Sequence, residues 1–192
     1  MATVPKILAF AGSTRTDSYN KKLIKIAIAG AKAAGAEVTH LDLRDLPLPL
    51  YDGDLEEQGG LPANARKLKD LMLAHHGFLI SAPEYSSSIT GVLKNAIDWA
   101  SRPVAGEPPL NCFTDKVVGL MSASPGALGG LRGLVHVRAI LGNINCLVIP
   151  DQMAIAKAHE AFNADGTLKD AKQQAAIEKI GAKVAQMTVK LN

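Results

Sequence analysis

The chain has 192 residues, of which 47% are hydrophobic, 20% are charged and 4% are aromatic. This length and composition are typical of a globular domain and exclude an intrinsically disordered chain. The net charge of +3 is spread along the sequence and aromatic residues are scarce, so we expect neither nucleic acid nor a membrane as a partner. We therefore expect residues 1–192 to form a single domain.

The sequence also restricts the compartment and the use of cysteine. No apolar stretch approaches the roughly 18 residues of a transmembrane helix, and the N-terminus lacks the apolar core of a signal peptide. Two cysteines are too few for a disulfide framework or a four-ligand zinc site, so we expect no metal and a cytoplasmic location. We expect Cys146 to be a buried strand residue and Cys112, in a loop, to be partly exposed.

Apolar runs that predict strands alternate with segments of helical periodicity. The run over residues 7–11 has no polar residue and stops at Gly12, which is typical of a strand buried on both faces. Over residues 18–34 the apolar positions recur at helical spacing. We predict strands over 7–11, 37–43, 77–82, 116–121 and 144–149, and helices over 18–34, 62–75, 91–100, 130–141 and 169–189.

This alternation predicts an α/β fold, a doubly wound five-stranded parallel sheet with helices on both faces. Two segments stand apart from it. Residues 46–51 are apolar with prolines at alternate positions, which predicts a loop covered by a partner chain or a ligand. Residues 150–168 are expected to be irregular, with a turn near Gly166.

The loop over residues 12–20 joins the first strand to the first helix. It supplies hydroxyls, an amide, the Arg15 guanidinium and the open N–H groups of a helix start, all of which suit a phosphate. Simple capping by Asp17 or Ser18 is the alternative. The loop matches neither the P-loop pattern nor the dinucleotide fingerprint, which disfavours a nucleotide or an NAD-first domain.

Two further loops should meet the first at the carboxyl edge of the sheet, where ligands of such sheets bind. In residues 83–90, Tyr85 is suited to lie against a flat ring, although it could equally pack at an ordinary helix start. In residues 122–130, small side chains permit close approach of the backbone to a ligand, or simply a flexible turn. A phosphate loop, a planar-ring loop and a small-residue loop together describe a phosphorylated heterocycle, and FMN fits that description.

With these motifs in view, the sequence resembles the NAD(P)H-dependent FMN reductase family, whose members carry a GSxRxxSxN loop after the first strand. Residues 12–20 match every specified position. The family also carries PEYN followed by GxLKNAIDW, which residues 83–85 and 91–99 match, whereas Ser86 replaces the usual asparagine. A small-residue segment after the fourth strand completes the resemblance, which spans about residues 5–189.

The resemblance implies a flavodoxin-like fold in which the first loop holds the FMN phosphate and the other two loops edge the isoalloxazine. Hydride would pass from NADPH or NADH to FMN and the electrons then to a quinone, free flavin, azo compound or similar small-molecule acceptor. No side chain is expected to be catalytic. The implied cofactor-binding residues are Ser13, Arg15, Ser18, Tyr19, Asn20, Pro83, Glu84, Tyr85, Ser86, Ser124, Pro125, Gly126 and Gly129.

Other interpretations remain open at this point. A flavin-bound electron carrier without NAD(P)H activity is the main alternative, although such carriers are typically acidic, and a non-redox anion-binding module is another. The family implies a homodimer or homotetramer, with residues 46–51 and the helix around Trp99 as candidate boundaries. We interpret His75 and His76 as structural, Glu84 as positional, and Arg102 as a contact for either a cofactor phosphate or a neighbouring subunit.

Overall fold

The computed structural model describes residues 4–191. One turn of 3₁₀ helix over Leu43–Asp45 follows the second strand. In chain order the other elements are β1 (Lys6–Ala11), α1 (Tyr19–Ala33), β2 (Glu37–Leu41), α2 (Gly53–Gly59), α3 (Ala63–Leu73), β3 (Gly77–Ser81), β4 (Glu84–Tyr85), β5 (Ser88–Ile89), α4 (Gly91–Ala100), β6 (Val117–Ala123), α5 (Leu131–Asn143), β7 (Leu147–Ile155), α6 (Ala158–Ala161) and α7 (Ala171–Leu191).

The main sheet has five parallel strands in the order β2-β1-β3-β6-β7. The chain moves outward from β1 in one direction to β2 and in the other direction through β3 and β6 to β7. The strand order therefore reverses between β1 and β3, the point at which sheets of this type open a ligand-binding crevice. The predicted doubly wound, flavodoxin-like sheet is confirmed.

Helices cover both faces of the sheet, because the central strands bury side chains on each side. Phe10 of β1 joins one apolar cluster with α3, α4 and α5, including Leu93 and Leu134. Ile7 of the same strand joins the other cluster with α1 and α7, including Leu23 and Val184. A strand buried on both faces needs an unbroken apolar run, which explains the sequence pattern of β1.

Helices α1 and α7 cross at a distance that leaves no space for side chains. A Cβ added to Gly30 would lie 1.9 Å from the carbonyl oxygen of Glu178, and one added to Gly181 would lie 1.9 Å from that of Ala27. Glycine at both positions therefore allows the two backbones to touch. Since α1 begins at the candidate phosphate loop, this contact fixes the helix that presents the loop.

The last strand differs from the prediction. It covers Leu147–Ile155 rather than 144–149, so residues 150–155 of the segment expected to be irregular are strand. Its pairing with β6 shifts register between Val118 and Leu120, and Pro150 lies at this irregularity. Because β7 is an edge strand, a proline at a bulge removes no essential ladder bond, and pairing resumes beyond it.

Two short features carried too little periodic signal to be predicted. Helix α2 buries none of its side chains, so it shows no apolar stripe, and Asp52 begins it by accepting a hydrogen bond from the N–H of Asp54 at 2.9 Å. Strands β4 and β5 are two residues each and pair as an antiparallel hairpin inside the second predicted loop. Within residues 4–191, no helix is both long and apolar enough to cross a lipid bilayer.

The two cysteines are both buried, so the expected partial exposure of Cys112 is wrong. The loop that carries it packs under α4, and its Sγ lies 3.3 Å from the carbonyl oxygen of Ala100. Cys146 is buried as expected but directly precedes β7 rather than lying within it. Burial raises the pKa of the Cys112 thiol to about 11 and the pKa of Cys146 to about 12, so both thiols stay protonated near neutral pH.

Candidate functional site

A cleft of about 360 Å³ opens at the carboxyl ends of β1, β3 and β6. The predicted residues Ser86, Gly126 and Gly129 belong to the same loops but do not line this cleft within residues 4–191. The lining consists of Ser13, Arg15, Ser18, Tyr19, Asn20, Pro83, Glu84, Tyr85, Ala123, Ser124 and Pro125.

One end of the cleft is the start of α1. Ser18 precedes the helix in an extended conformation, and within the described residues its side chain does not cap the first turn. The backbone N–H of Arg15 donates to Ser13 Oγ at 3.2 Å, which curls the loop. The exposed Arg15 guanidinium has no partner within residues 4–191. Positive charge and open donors at a helix N-terminus favour an anion.

Arg44 holds this loop in place, a role that the sequence did not suggest. It follows β2, and its Nη2 donates to the carbonyl oxygen of Thr14 at 2.5 Å and to Thr16 Oγ1 at 2.8 Å. Its backbone N–H donates to Asp42 Oδ1 at 3.0 Å. The only sequence signal was a basic residue just after the second strand, which on its own is common.

Asn20 joins the three loops from inside. Its Nδ2 donates to the carbonyl oxygen of Ala123 at 2.8 Å, while its Oδ1 accepts from the Ala123 N–H at 3.0 Å and from Ser81 Oγ at 2.8 Å. The side chain is 3% exposed. The Asn20 amide therefore links the start of α1 to the ends of β3 and β6, where the other two loops begin. Because these bonds occupy most of its donors and acceptors, the amide has little capacity left to bind a ligand.

The second loop contains the β4–β5 hairpin, whose turn residues Ser86 and Ser87 have φ values of 49° and 63°. Two positive φ values at the centre of a two-residue turn are typical of type I′, which favours Asn-Gly. Tyr85 is 55% exposed beside the cleft. At the end of the loop, Thr90 Oγ1 donates to the carbonyl oxygen of Gly12 at 2.7 Å and accepts from the Leu93 N–H.

Glu84 fastens this hairpin to the start of α5. Its Oε2 accepts from the Gly133 N–H at 3.0 Å, and its Oε1 accepts from Arg132 Nε at 3.1 Å. Although burial opposes ionisation, the Gly133 N–H and the Arg132 guanidinium hold the pKa of Glu84 below its ordinary value. The carboxylate thus connects the second loop to the start of α5, which follows the third loop.

The third loop turns sharply where α5 begins. Gly129 and Gly130 have φ values of 64° and 95°. A Cβ at Gly129 would lie 2.6 Å from the backbone N of Ala156, and one at Gly130 would lie 2.0 Å from Ser122 Oγ. Ser122 Oγ is buried and has no hydrogen-bond partner within residues 4–191. Glycine is therefore required here for backbone approach and not for flexibility alone.

The other candidate residues do not line this cleft, and each makes contacts within the chain. His75 precedes β3 at the opposite end of the sheet and contacts Leu71 O at 2.6 Å and Thr39 Oγ1 at 2.7 Å. His76 Nδ1 accepts from the Lys6 N–H at 3.1 Å. Arg102 lies over the Tyr51 ring at 5.0 Å. Among residues 4–191, no group of three or more His, Cys, Asp or Glu side chains is placed to hold a metal ion.

Comparison with known proteins identifies the family. The family model for NADPH-dependent FMN reductases matches residues 5–160. A probable NADPH:quinone oxidoreductase of Oryza sativa subsp. japonica is 36% identical over 177 residues, covering 88% of this chain and 83% of the relative. An NAD(P)H-dependent FMN reductase of Pseudomonas aeruginosa is 36% identical over 175 residues, which cover 90% of this chain and 89% of the relative.

Solved structures agree with these relatives. The flavoenzyme NAD(P)H:(acceptor) oxidoreductase FerB of Paracoccus denitrificans superimposes with a TM-score of 0.81 at 29% identity, covering 97% of this chain and 98% of FerB. The similarity in fold therefore extends over nearly the whole chain. This chain belongs to the NADPH-dependent FMN reductase family.

Proposed function

We propose that this protein binds FMN in the cleft and transfers electrons from NAD(P)H to a quinone. The observation that carries the proposal is the division of the cleft into two chemically different ends. An unpaired guanidinium and open helix N–H groups lie at one end, and two tightly turned loops lie at the other. A ligand with a phosphate at one end and a flat ring at the other matches this division.

The residues present fit FMN on their own chemistry. Ser13, Arg15 and Ser18, with the N–H groups of Tyr19 and Asn20, supply the donors that a phosphate dianion needs. In this assignment Asn20 contributes its backbone, because its side chain is already occupied by Ser81 and Ala123.

The second and third loops complete the assignment at the ring end. Residues 83–86 and 124–129 would edge the isoalloxazine, and the buried, unpartnered Ser122 Oγ marks a polar spot beneath them. Tyr85 presents an exposed phenol ring at the mouth of the cleft, where it can cover a planar ligand.

The chain's contribution to the reaction is positioning and electrostatics. The redox chemistry itself, two-electron transfer from NAD(P)H to an acceptor, is what bound FMN supplies. Glu84 and Arg44 keep the loops in fixed relative positions, so that donor and acceptor molecules stack in a defined orientation. No side chain has to exchange a proton with the nicotinamide, and we assign no catalytic residue.

Quinones are the proposed acceptors because several relatives are named as quinone oxidoreductases, among them those of Oryza sativa and Solanum tuberosum. Free flavin remains a second candidate, favoured by the FMN reductase relative from Pseudomonas aeruginosa. The two differ in the fate of FMN. A quinone reductase retains FMN through turnover, whereas a flavin reductase releases it.

Turnover tests the proposal directly. With a soluble benzoquinone and FMN, the purified protein should oxidise NADPH or NADH without oxygen, and dialysis against buffer should leave the flavin attached. Flavin that dialyses away during turnover would favour the free-flavin role. A protein that binds FMN but oxidises neither donor would instead be an electron carrier.

Arg15→Ala tests the phosphate assignment separately. Losing a charged hydrogen-bonding group should weaken FMN binding by about 1.5–3 kcal/mol. The measurement is a titration of FMN fluorescence against the protein. Lys32→Ala, which removes a positive charge from the last turn of α1, away from the loop, is the matched control. Equal affinities in the two variants would remove Arg15 from the phosphate site.

We also propose a cytoplasmic homodimer or homotetramer. Support comes from the exposed apolar residues of the loop over 46–51, where Leu50 is 81% exposed. Trp99 does not contribute to such a boundary directly, because it is fully buried and donates to the carbonyl oxygen of Pro49 at 2.8 Å. It positions the loop instead. Light scattering of wild type and Leu50→Glu tests the assignment, since only the variant should dissociate.

A further inference from the structure

A second cleft, of about 700 Å³, lies beside the candidate flavin cleft and has a basic lining. It is formed by the first two turns of α1 and by residues that end and follow β2. Four cationic side chains line it, Lys21, Lys22, Lys25 and Arg44, against the carboxylates of Asp17 and Asp42. We call it the basic cleft.

The pairing of these charges leaves a surplus. Lys21 Nζ lies 2.5 Å from Asp42 Oδ2, so these two charges neutralise each other. Within the described residues, Lys25 makes no ion pair, and Lys22 contacts only the face of the Tyr19 ring, at 5.9 Å. Burial and the nearby Lys25 ammonium lower the pKa of His40, which lines the same cleft. The Asp17 carboxylate in the same lining offsets part of the remaining charge, and Lys22 and Lys25 are the ammonium groups of the cleft without a carboxylate partner within the described residues.

The basic cleft adjoins the candidate flavin cleft at the start of α1. Ser18 lines both of them. Arg44, which lines the basic cleft, holds the phosphate loop through Thr14 and Thr16. Lys25 lies in the second turn of α1, the helix whose start lines the flavin cleft.

We propose that the basic cleft binds the 2′-phosphate of NADPH, with Lys25 and Lys22 as the residues that distinguish NADPH from NADH. This inference rests on the proposed function, in which a pyridine nucleotide is the electron donor. The 2′-phosphate is a monoester that carries close to two negative charges at neutral pH, whereas NADH has a hydroxyl at that position. Only NADPH would gain charge-assisted hydrogen bonds from the lysines.

Other cations near the flavin cleft are less suitable. Arg15 is assigned to the FMN phosphate, and Arg132 is paired with Glu84 at 3.0 Å. The Arg102 guanidinium already donates to the Tyr51 hydroxyl at 3.2 Å and to the carbonyl oxygen of Asp98 at 3.0 Å. Lys157 is the remaining competitor, because its backbone N–H donates to the carbonyl oxygen of Gly126 in the third loop. It is a single cation, whereas the basic cleft combines two unpaired lysines with a neighbouring guanidinium.

The first experiment compares donors in the FMN-loaded protein. Lys25→Gln should lower kcat/KM for NADPH about tenfold, mainly by raising KM. It should change kcat/KM for NADH by less than about twofold. Lys25→Arg should retain most of the preference, and Lys32→Gln is the control on the same helix. Equal losses for both donors, or a selective loss in Lys157→Gln instead, would overturn the proposal.

The second experiment measures binding without turnover. The His40 ring resonances of the FMN-loaded protein are followed by NMR while 2′-AMP, 5′-AMP or inorganic phosphate is added. We expect 2′-AMP to shift them at the lowest concentration and Lys25→Gln to abolish that preference. Equal responses to all three would reduce the cleft to a general anion site and overturn the proposal. If neither donor is oxidised, the proposed function fails, but this titration still decides what the cleft recognises.

Discussion

At the scale of single residues, the hairpin turn places two neighbouring serines in an unfavourable backbone conformation. Ser86 and Ser87 both adopt the left-handed region, which costs an L-residue roughly 1–2 kcal/mol. Ser86→Asn and Ser87→Gly should each stabilise the protein by about 0.5–1 kcal/mol, because Asn-Gly is the preferred pair in type I′ turns. The check is a urea denaturation series in which Ser88→Gly, an extended neighbour, is the control and should not stabilise.

The Glu84 carboxylate makes stability depend on pH in a defined direction. Its pKa is depressed below the ordinary 4.5 in the folded state, so its contribution is fully present above that pH and is lost as the pH falls through the folded value. Wild type should therefore exceed Glu84→Gln in stability at neutral pH, and the difference should shrink on acidification.

Urea midpoints of both proteins across pH 3–7 measure this difference. If the difference in urea midpoint between the two proteins stays constant over this pH range, the charge of the carboxylate does not stabilise the contact between the hairpin and α5. The Glu84→Gln variant keeps an oxygen that can accept from the Gly133 N–H, so it mainly removes the charge that Arg132 recognises.

At the scale of elements, the α1–α7 contact should tolerate no added methyl group. Alanine normally stabilises a helix by about 0.5–1 kcal/mol relative to glycine. At Gly30 the new Cβ would meet the Glu178 carbonyl, so Gly30→Ala should instead destabilise by about 1–3 kcal/mol as the helices separate. Gly142→Ala in α5, where nothing lies within 4 Å of the new Cβ, is the matched control.

Thermal unfolding distinguishes the two variants by sign. Gly142→Ala should unfold at or above the wild-type temperature and Gly30→Ala below it. Because α1 presents the phosphate loop, Gly30→Ala should also weaken FMN binding. A Gly30→Ala protein as stable as wild type would mean that the two helices can move apart at no cost.

The elements also show why some boundaries escaped prediction. Proline normally ends a strand, so Pro150 predicted the end of the last strand. The sequence does not reveal that β7 is an edge strand, in which a bulge accommodates this proline. Helix α2 is solvated on all sides, so no apolar stripe marks it. The long buried strands and the amphipathic helices, in contrast, were predicted within a few residues because burial alone sets their pattern.

At the scale of the whole molecule, the rule that loops meet at the carboxyl edge of a parallel sheet made the cleft predictable. Ser13, Tyr85 and Ser124 are far apart in sequence, yet they line one cleft because their strands are neighbours. The contacts of Asn20 with Ala123 and of Arg44 with Thr14 were not predictable, because each depends on how distant segments pack.

The central claim is that this fold holds FMN that NAD(P)H reduces, and an anaerobic titration of the purified, FMN-loaded protein tests it most directly. The absorption of bound flavin in the blue should bleach as NADPH is added, with an endpoint near one NADPH per flavin. A bound flavin whose spectrum is unchanged by NADPH and by NADH would contradict the account, as would a protein that takes up no FMN.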